Sequence, residues 1–439
     1  MRCISAIGVF GQTGCSPRSP GARVRRPEEG RIMDFNDSPE EAAFRAEARA
    51  WLAAHAPAHE IPPGAKMSDT EEAARGRAWI RELYEGGWSG LTFSRELGGR
   101  GASGIEAVIF AEEEGRYHLP KGPFVSIGTG MALPVIARHG TEEQKARFVE
   151  PTLKGEITWC QLFSEPAAGS DLAGLRTKAV RADDGSGDWI VNGQKVWSSW
   201  AHLTDWGILV VRTDPGVPKH KGLTFFLVDM KTPGIETRPI RQISGASEFN
   251  ETFLTDVRIP DANRLGAEGE GWACCMTVLM GERLGSGAHR SGVATLLDYA
   301  AATPDGHGGT MLDDGAVRQQ LAEALAEEQG ERFFQARLRT MVSKGENPGA
   351  LAGMVKLAYA SRYQRTNGLA LELRGLAGIA GEPGDSATGD VQYDYIYSTV
   401  MRIAGGADEV LRNQIAERVL AMPGEVRMDK DVPFEKLKA

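Results

Sequence analysis

Two periods of apolar residues divide the 439-residue chain into three stretches. From Ser38 to about Gly155 apolar positions recur at helical spacing in runs broken by glycine turns: Pro39 to His55, Asp69 to Gly86, Gly104 to Arg116 and Thr141 to Lys154. The last begins on Thr141 as N-cap, with Glu142, Glu143 and Gln144 in the first turn, where acidic groups meet the positive end of the helix dipole. Between about Ile157 and Asn263 the pattern shortens to β-prone runs: Asp188 to Trp197, Gly207 to Arg212, Leu223 to Val228 and Thr252 to Ile259. Within the first of these, Asn192-Gly193 predicts a tight hairpin turn, because both residues tolerate positive φ. After Gly271 helical spacing returns over Trp272 to Ala301, Ala316 to Ser343, Ala350 to Arg374 and Asp408 to Leu420, and glycine-rich 375–389 separates the last two. Helices, then strands, then helices predict an α+β fold whose sheet is segregated from the helices.

Composition narrows the functional classes. A net charge of -9 and a pI near 5.6 argue against a phosphate-backbone binder, so no nucleic-acid partner is expected. No run approaches the length of a membrane span, and no secretory signal pattern is present. The five cysteines, Cys3, Cys15, Cys160, Cys274 and Cys275, form neither a disulfide framework nor a metal-ligand spacing, which fits a reducing cytoplasm and no metal. Residues 1–32, rich in Gly, Pro and Arg without apolar periodicity, are expected to be a disordered extension. The chain is then divided into 33–156 (helical), 157–265 (β), 266–425 (helical) and a 426–439 tail.

Two segments carry candidate chemistry. Gln161-Leu162-Phe163-Ser164-Glu165-Pro166-Ala167-Ala168-Gly169-Ser170-Asp171 enters the β region with hydroxyls, small residues and a glycine that permit close backbone approach to a flat polar ligand. Further along, Gly193-Gln194-Lys195-Val196-Trp197-Ser198-Ser199 offers an aromatic plane and nearby hydroxyls; as a sheet residue alone, Trp197 reads equally as core.

Together these segments resemble the signature of the acyl-CoA dehydrogenase family, a variant of S/T-E-P-x-A-G-S-D followed by N-G-x-K-x-W-I/S-T/S. Gly87-Trp88-Ser89-Gly90-Leu91, Gly140-Thr141-Glu142-Glu143-Gln144-Lys145 and Ile415-Ala416-Glu417-Arg418-Val419-Leu420 agree in order, and the resemblance spans Met33 to about Pro423. It implies an N-terminal helical domain, a central β domain and a C-terminal four-helix bundle, with FAD between sheet and bundle. It implies too that Gln161 to Ser170, including Phe163 and Gly169, and Trp197 to Ser199 line the isoalloxazine ring. In that match Ser164 and Ser199 bond the flavin's polar edge, Trp197 packs against the ring, Ser198 lies between them, and Ser170 faces the CoA side.

Chemistry at an acyl α-carbon needs a carboxylate of raised basicity in a dry site. Many family members place it just before a Gly-Thr in the last helical region, where this chain has Gly405 in Ile403-Ala404-Gly405-Gly406. The isovaleryl-CoA and long-chain acyl-CoA dehydrogenases instead supply it from the first long helix of the bundle, directly before an arginine. Met280-Gly281-Glu282-Arg283-Leu284 matches that pattern, so the resemblance implies Glu282 as the base and Arg283 beside the substrate. Glu282 shares a helical face with Val278, Leu279, Gly285 and Ser286, residues suited to a cavity wall.

The region 302–310 lacks the family's Arg-x-x-Phe-Gly stretch, and 375–384 matches its adenine-side loop poorly, so no residue is assigned to the FAD pyrophosphate. The resemblance implies α,β-dehydrogenation of an acyl-CoA, electron delivery to an electron-transferring flavoprotein, and a homo-oligomer or a mixed assembly with a related chain. A flavin oxidase or monooxygenase, and a non-catalytic subunit of such an assembly, are the alternative expectations.

Overall fold

The computed structural model describes residues 37–62, 67–120, 124–285, 292–343, 346, 349–380 and 389–437; the extension 1–32 lies outside the described residues. The N-terminal helices are α1 (Pro39–His55), α2 (Asp69–Glu85), α3 (Gly104–Glu114), α4 (Leu133–His139) and α5 (Glu142–Leu153). Four start on one device: Ser38, Ser68, Ser103 and Thr141 each accept from the backbone N–H three residues on, and Glu41, Glu71, Glu106 and Gln144 reach back to the cap. The same stretch holds a π-helical segment, Phe124–Ala132, leading into α4, which the apolar pattern does not signal. Gly128 and Gly130 interrupt the spacing there, yet Ile127, Leu133, Val135 and Ile136 are buried with Phe148 and Trp159.

The strands are β1 (Trp159–Leu162), β2 (Lys178–Arg181), β3 (Trp189–Ser199), β4 (Trp206–Arg212), β5 (Leu223–Asp229), β6 (Ile235–Pro239), β7 (Phe249–Ile259) and β8 (Arg264–Leu265). They form one sheet in the order β6-β7-β3-β2-β4-β5-β8, with β1 added parallel to β4. β4 and β5 read as continuous apolar runs because both faces are covered. Leu209, Val211, Phe226 and Val228 face a core with Trp189 and Leu254. Ile208, Val210, Phe225 and Leu227 face the opposite core, which contains Phe163.

Asn192-Gly193 is not a hairpin turn. It lies inside the continuous strand β3, where the pairing with β7 shifts register between Val191 and Gly193, and the chain reverses at 182–188 instead. A Cβ at Gly193 would stand 2.3 Å from Thr177 Oγ1, so the glycine serves a close strand approach. Asn192 spends its amide on Asp256, donating to the carboxylate at 2.9 Å and accepting from the backbone N–H at 2.9 Å.

The C-terminal helices are α6 (Gly271–Gly285), α7 (Gly292–Ala302), α8 (Gly315–Ser343), α9 (Leu351–Ile379), α10 (Gly389–Ser398) and α11 (Asp408–Arg418). The helix expected over Trp272 to Ala301 is thus described as α6 and α7, with 286–291 outside the described residues. α9 runs past Arg374 through a break at Gly375 (φ 55°), and α10 begins at Gly389, the end of the expected glycine-rich separator. α9 is the hub, packing against α6, α7, α8, α10 and α11. Residues 421–437 then return to the sheet, where the Phe434 N–H donates to the Val217 carbonyl at 2.9 Å.

Candidate active site

Parallel pairing to β4 carries the chain out of β1 at Leu162 and into the loop 163–171. Gln161, at the strand's end, is half-buried, and Phe163 is buried edge-on to Phe225, 5.8 Å between ring centres. Glu165 and Ala168 exchange backbone hydrogen bonds at 3.0 Å, which pinches Pro166-Ala167 into a tip. Gly169 and Ser170 follow on the exposed side.

The loop is stapled to β3. The Val196 N–H donates to the Ser164 carbonyl at 2.9 Å, joining the two segments singled out in the sequence. Beneath this contact Lys195, fully buried, donates to the Phe163 carbonyl at 3.0 Å and to Glu165 Oε1 at 2.9 Å. Glu165 also accepts the backbone N–H groups of Arg176 (2.6 Å) and Thr177 (2.9 Å). Burial pushes the Glu165 carboxyl up, but the Lys195 charge and these donors outweigh it, leaving it below the usual carboxylate range. Burial pulls the Lys195 ammonium down, with Glu165 opposing. Sequence reasoning missed this pair, although both residues lie inside the two motifs; an acid and a lysine among otherwise small and apolar positions were the available signal.

At the end of β3 the backbone departs from a regular strand. Pairing with β7 slips between Lys195 and Ser198, and Trp197 and Trp200 take left-handed φ values of 61° and 56°. For bulky aromatic residues this conformation costs on the order of 1–3 kcal/mol each and is held by the surroundings. Its consequence is that the Trp197 side chain turns outward, 57% exposed and edge-on to Phe249 at 6.0 Å. Ser198 is fully buried and Ser199 half-buried. An exposed indole, with the Ser164 backbone bonded to the residue before it, presents a flat apolar face bordered by polar groups.

α6 packs on the sheet at β5 and β4. Cys274, Cys275 and Val278 are fully buried in the core that holds Phe163, Leu223 and Phe225. Burial pushes the Cys274 thiol up to about 12 and Cys275 higher still, so both remain protonated packing groups. Glu282 and Arg283 belong to α6 by backbone, Glu282 one turn beyond Val278; their side chains lie outside the described residues. Gly405 has φ 66° in the turn before α11, and Gly406 has φ 103°. That turn is pinned where Lys356 donates to the Gly406 carbonyl at 2.7 Å and Arg402 pairs with buried Asp408. A side chain at Gly405 would be strained there.

Among the described residues no group of three or more His, Cys, Asp or Glu could hold a metal ion, and no helix is long and apolar enough to cross a membrane.

The chain matches the acyl-CoA dehydrogenase N-terminal domain over residues 38–156, the middle domain over 160–257 and the C-terminal domain over 269–420. It is 41% identical over 325 residues to acyl-CoA dehydrogenase FadE34 of Mycobacterium tuberculosis, a match spanning 74% of this chain and 43% of that longer protein. It is 35% identical over 405 residues to acyl-CoA dehydrogenase IpdE1 of Mycolicibacterium smegmatis, covering 88% of this chain and 98% of the relative. The solved structure described as "Tcur3481-Tcur3483 steroid ACAD" superposes with a TM-score of 0.76 at 29% identity, over 90% of this chain and all of that one.

Proposed function

The chain belongs to the acyl-CoA dehydrogenase family of flavin-dependent dehydrogenases, and on that premise we propose that it removes two hydrogens from Cα and Cβ of an acyl-CoA thioester to give the 2-enoyl-CoA. The observation that carries the reading is the outward-turned Trp197 beside the stapled loop. A large apolar face held in a strained backbone is costly without a partner, and a polar-edged aromatic ring fits it. In this reading FAD, when bound, supplies the hydride acceptor. Trp197 packs on its ring, Gln161, Ser164, Gly169 and Ser199 line or bond its edge, and Ser170 lies toward the substrate, while Phe163 and Ser198, whose side chains are buried, back the loop and the strand end from the core. Glu282 takes the proton from Cα, and Arg283 adjoins the substrate. The packing of Val278 in the core that holds Phe163 supports this placement, because Glu282 follows one turn along the same helix.

Likeness to a steroid dehydrogenase supports a bulky, steroid-like acyl group over a short straight chain. Electrons leave to an electron-transferring flavoprotein, and the working particle is an oligomer, of this chain alone or with a related one. The test is anaerobic: purified yellow protein is mixed with straight-chain and steroid-side-chain acyl-CoA thioesters, and flavin bleaching is followed with mass analysis of the product. Bleaching with loss of two hydrogens is expected. Protein that takes up no FAD, or reduces it with no thioester, refutes the proposal; rapid peroxide formation in air identifies an oxidase instead.

A further inference from the structure

The chain beyond the family match, which ends at residue 420, lies against the exit of the 163–171 loop. Two cations make the connection. Lys219, largely buried, is shared by two carboxylates: both oxygens of Asp171 at 2.9 Å, and Asp429 of the C-terminal segment at 2.6 Å. Although burial opposes it, these two partners raise the Lys219 pKa above its ordinary value. Arg212, at the end of β4, donates to the carbonyls of Ala173 (2.6 Å), Leu175 (3.1 Å) and Lys219 (3.1 Å), and its guanidinium lies 3.5 Å from the centre of the Phe434 ring. The segment is fixed on the other side by backbone bonds from Phe434 to Val217 and from Glu435 to Pro215. Loop exit, β4 end, the 213–222 connection and the C-terminal segment therefore meet at one node.

We infer that residues 421–437 act as a clamp that holds the Ser170–Asp171 end of the loop in place, with Lys219 and Arg212 as positioning residues and affinity for the CoA thioester as the property they set. One feature favours substrate over cofactor as the beneficiary, and a second makes the coupling mechanical. The node grips the loop at Asp171, Ala173 and Leu175, after Ser170, whereas the Phe163–Glu165 half has its own staple through Lys195. Moreover, an ion pair spread over two carboxylates from separate segments transmits loss of either one to the other. Asp171 is itself more than half exposed, so without Lys219 its side chain is free to solvate and the turn at 171–174 loosens. The assignment to substrate rests on the dehydrogenase reading above; the mechanical coupling does not.

The experiment compares the full-length protein with a form ending at Met422, and with Asp429→Asn, Phe434→Ala, Lys219→Met and Lys219→Arg. Amide hydrogen exchange is read at 171–176, flavin content is read by absorbance, and the Kd for free coenzyme A by calorimetry. Truncation and Lys219→Met should speed exchange at Gly174 and Leu175 by about five- to tenfold, the scale of losing one or two partly buried charged contacts. Kd for coenzyme A should weaken by a similar factor with flavin content unchanged, and Lys219→Arg should restore most of both. Exchange within about twofold of the parent in the truncated form overturns the clamp. Faster exchange with unchanged coenzyme A affinity overturns its substrate role. A parent that binds no coenzyme A overturns the dehydrogenase reading, and the exchange data still decide the clamp.

Discussion

In the central sheet, β4 and β5 bury every side chain except Asp229, on two faces. In the bundle, α9 is held to α8 through Arg362, which sits between Glu328 (3.6 Å) and Glu331 (2.7 Å), while Leu376 and Ile379 beyond its break stay largely exposed. The sheet is covered on both faces by apolar contact, one of them with helices including α6, and this packing holds the strained backbone at Trp197. The bundle balances charges inside and leaves apolar surface outside, the pattern of an element that finishes its burial against another chain. The proposed chemistry divides along the same line: the sheet cradles a ring and the bundle supplies a base.

The largest expected effect tests that division. Glu282→Gln keeps the shape but cannot accept a proton, so flavin reduction by thioester should slow by about 10²- to 10⁴-fold, about 3 to 5 kcal/mol of barrier, while flavin content and melting temperature stay near the parent's. Stopped-flow bleaching within about threefold of the parent would remove the base from the bundle. The complementary change in the sheet, Lys195→Met, should act on stability instead. It leaves Glu165 buried without its cation and should cost about 3–5 kcal/mol in denaturant titration, with loss of flavin. An unchanged denaturation midpoint would show that the loop does not depend on its staple.

The seam between the N-terminal helices and the bundle should respond to pH. His139 on α4 shares a 2.9 Å hydrogen bond with Thr277 on α6, and burial, with Arg138 adding repulsion, holds its pKa below 6.5. Between that lowered value and 6.5 the unfolded chain binds the proton more readily than the folded one, so this group's contribution to stability rises with pH and is lost on acidification. His139→Gln should therefore flatten the fall in unfolding free energy from pH 7 to 5. A steeper fall in the variant would contradict the sign. The smallest effect in stability should come from Leu376→Ser combined with Ile379→Ser, within about 0.5 kcal/mol for the chain itself. Light scattering should nevertheless show a smaller particle, and an unchanged mass would mean that this face is not covered by another chain.

Local pattern was enough for much of the fold. Helical spacing, with Thr141 as a cap for α5, placed α1, α2, α3 and α5 within a few residues, and the apolar runs of β4 and β5 marked strands. It was not enough where long-range contact overrode local preference. Asn192-Gly193 favours a turn in isolation, but the approach of Thr177 and the side-chain bonds to Asp256 make it a bulge in a long strand. The π-helical segment escaped for a related reason: glycines broke the periodicity, and packing supplied the order that spacing did not, while α10 follows directly on a glycine-rich stretch.

The two segments were recognisable through the order of their residues, which resembles the family signature, whereas by residue type alone they read equally as a surface turn and a sheet strand. Sequence therefore determined which residues form the loop and the strand end, and that Gly405 brings no carboxylate. Tertiary structure alone decided that Val196 joins Ser164, that Lys195 and Glu165 meet under the loop, that Trp197 faces outward, and that Asp429 reaches Lys219. Those contacts link residues far apart in the chain, and a charge is stable in such a place only when the folded core brings its partner within hydrogen-bond reach.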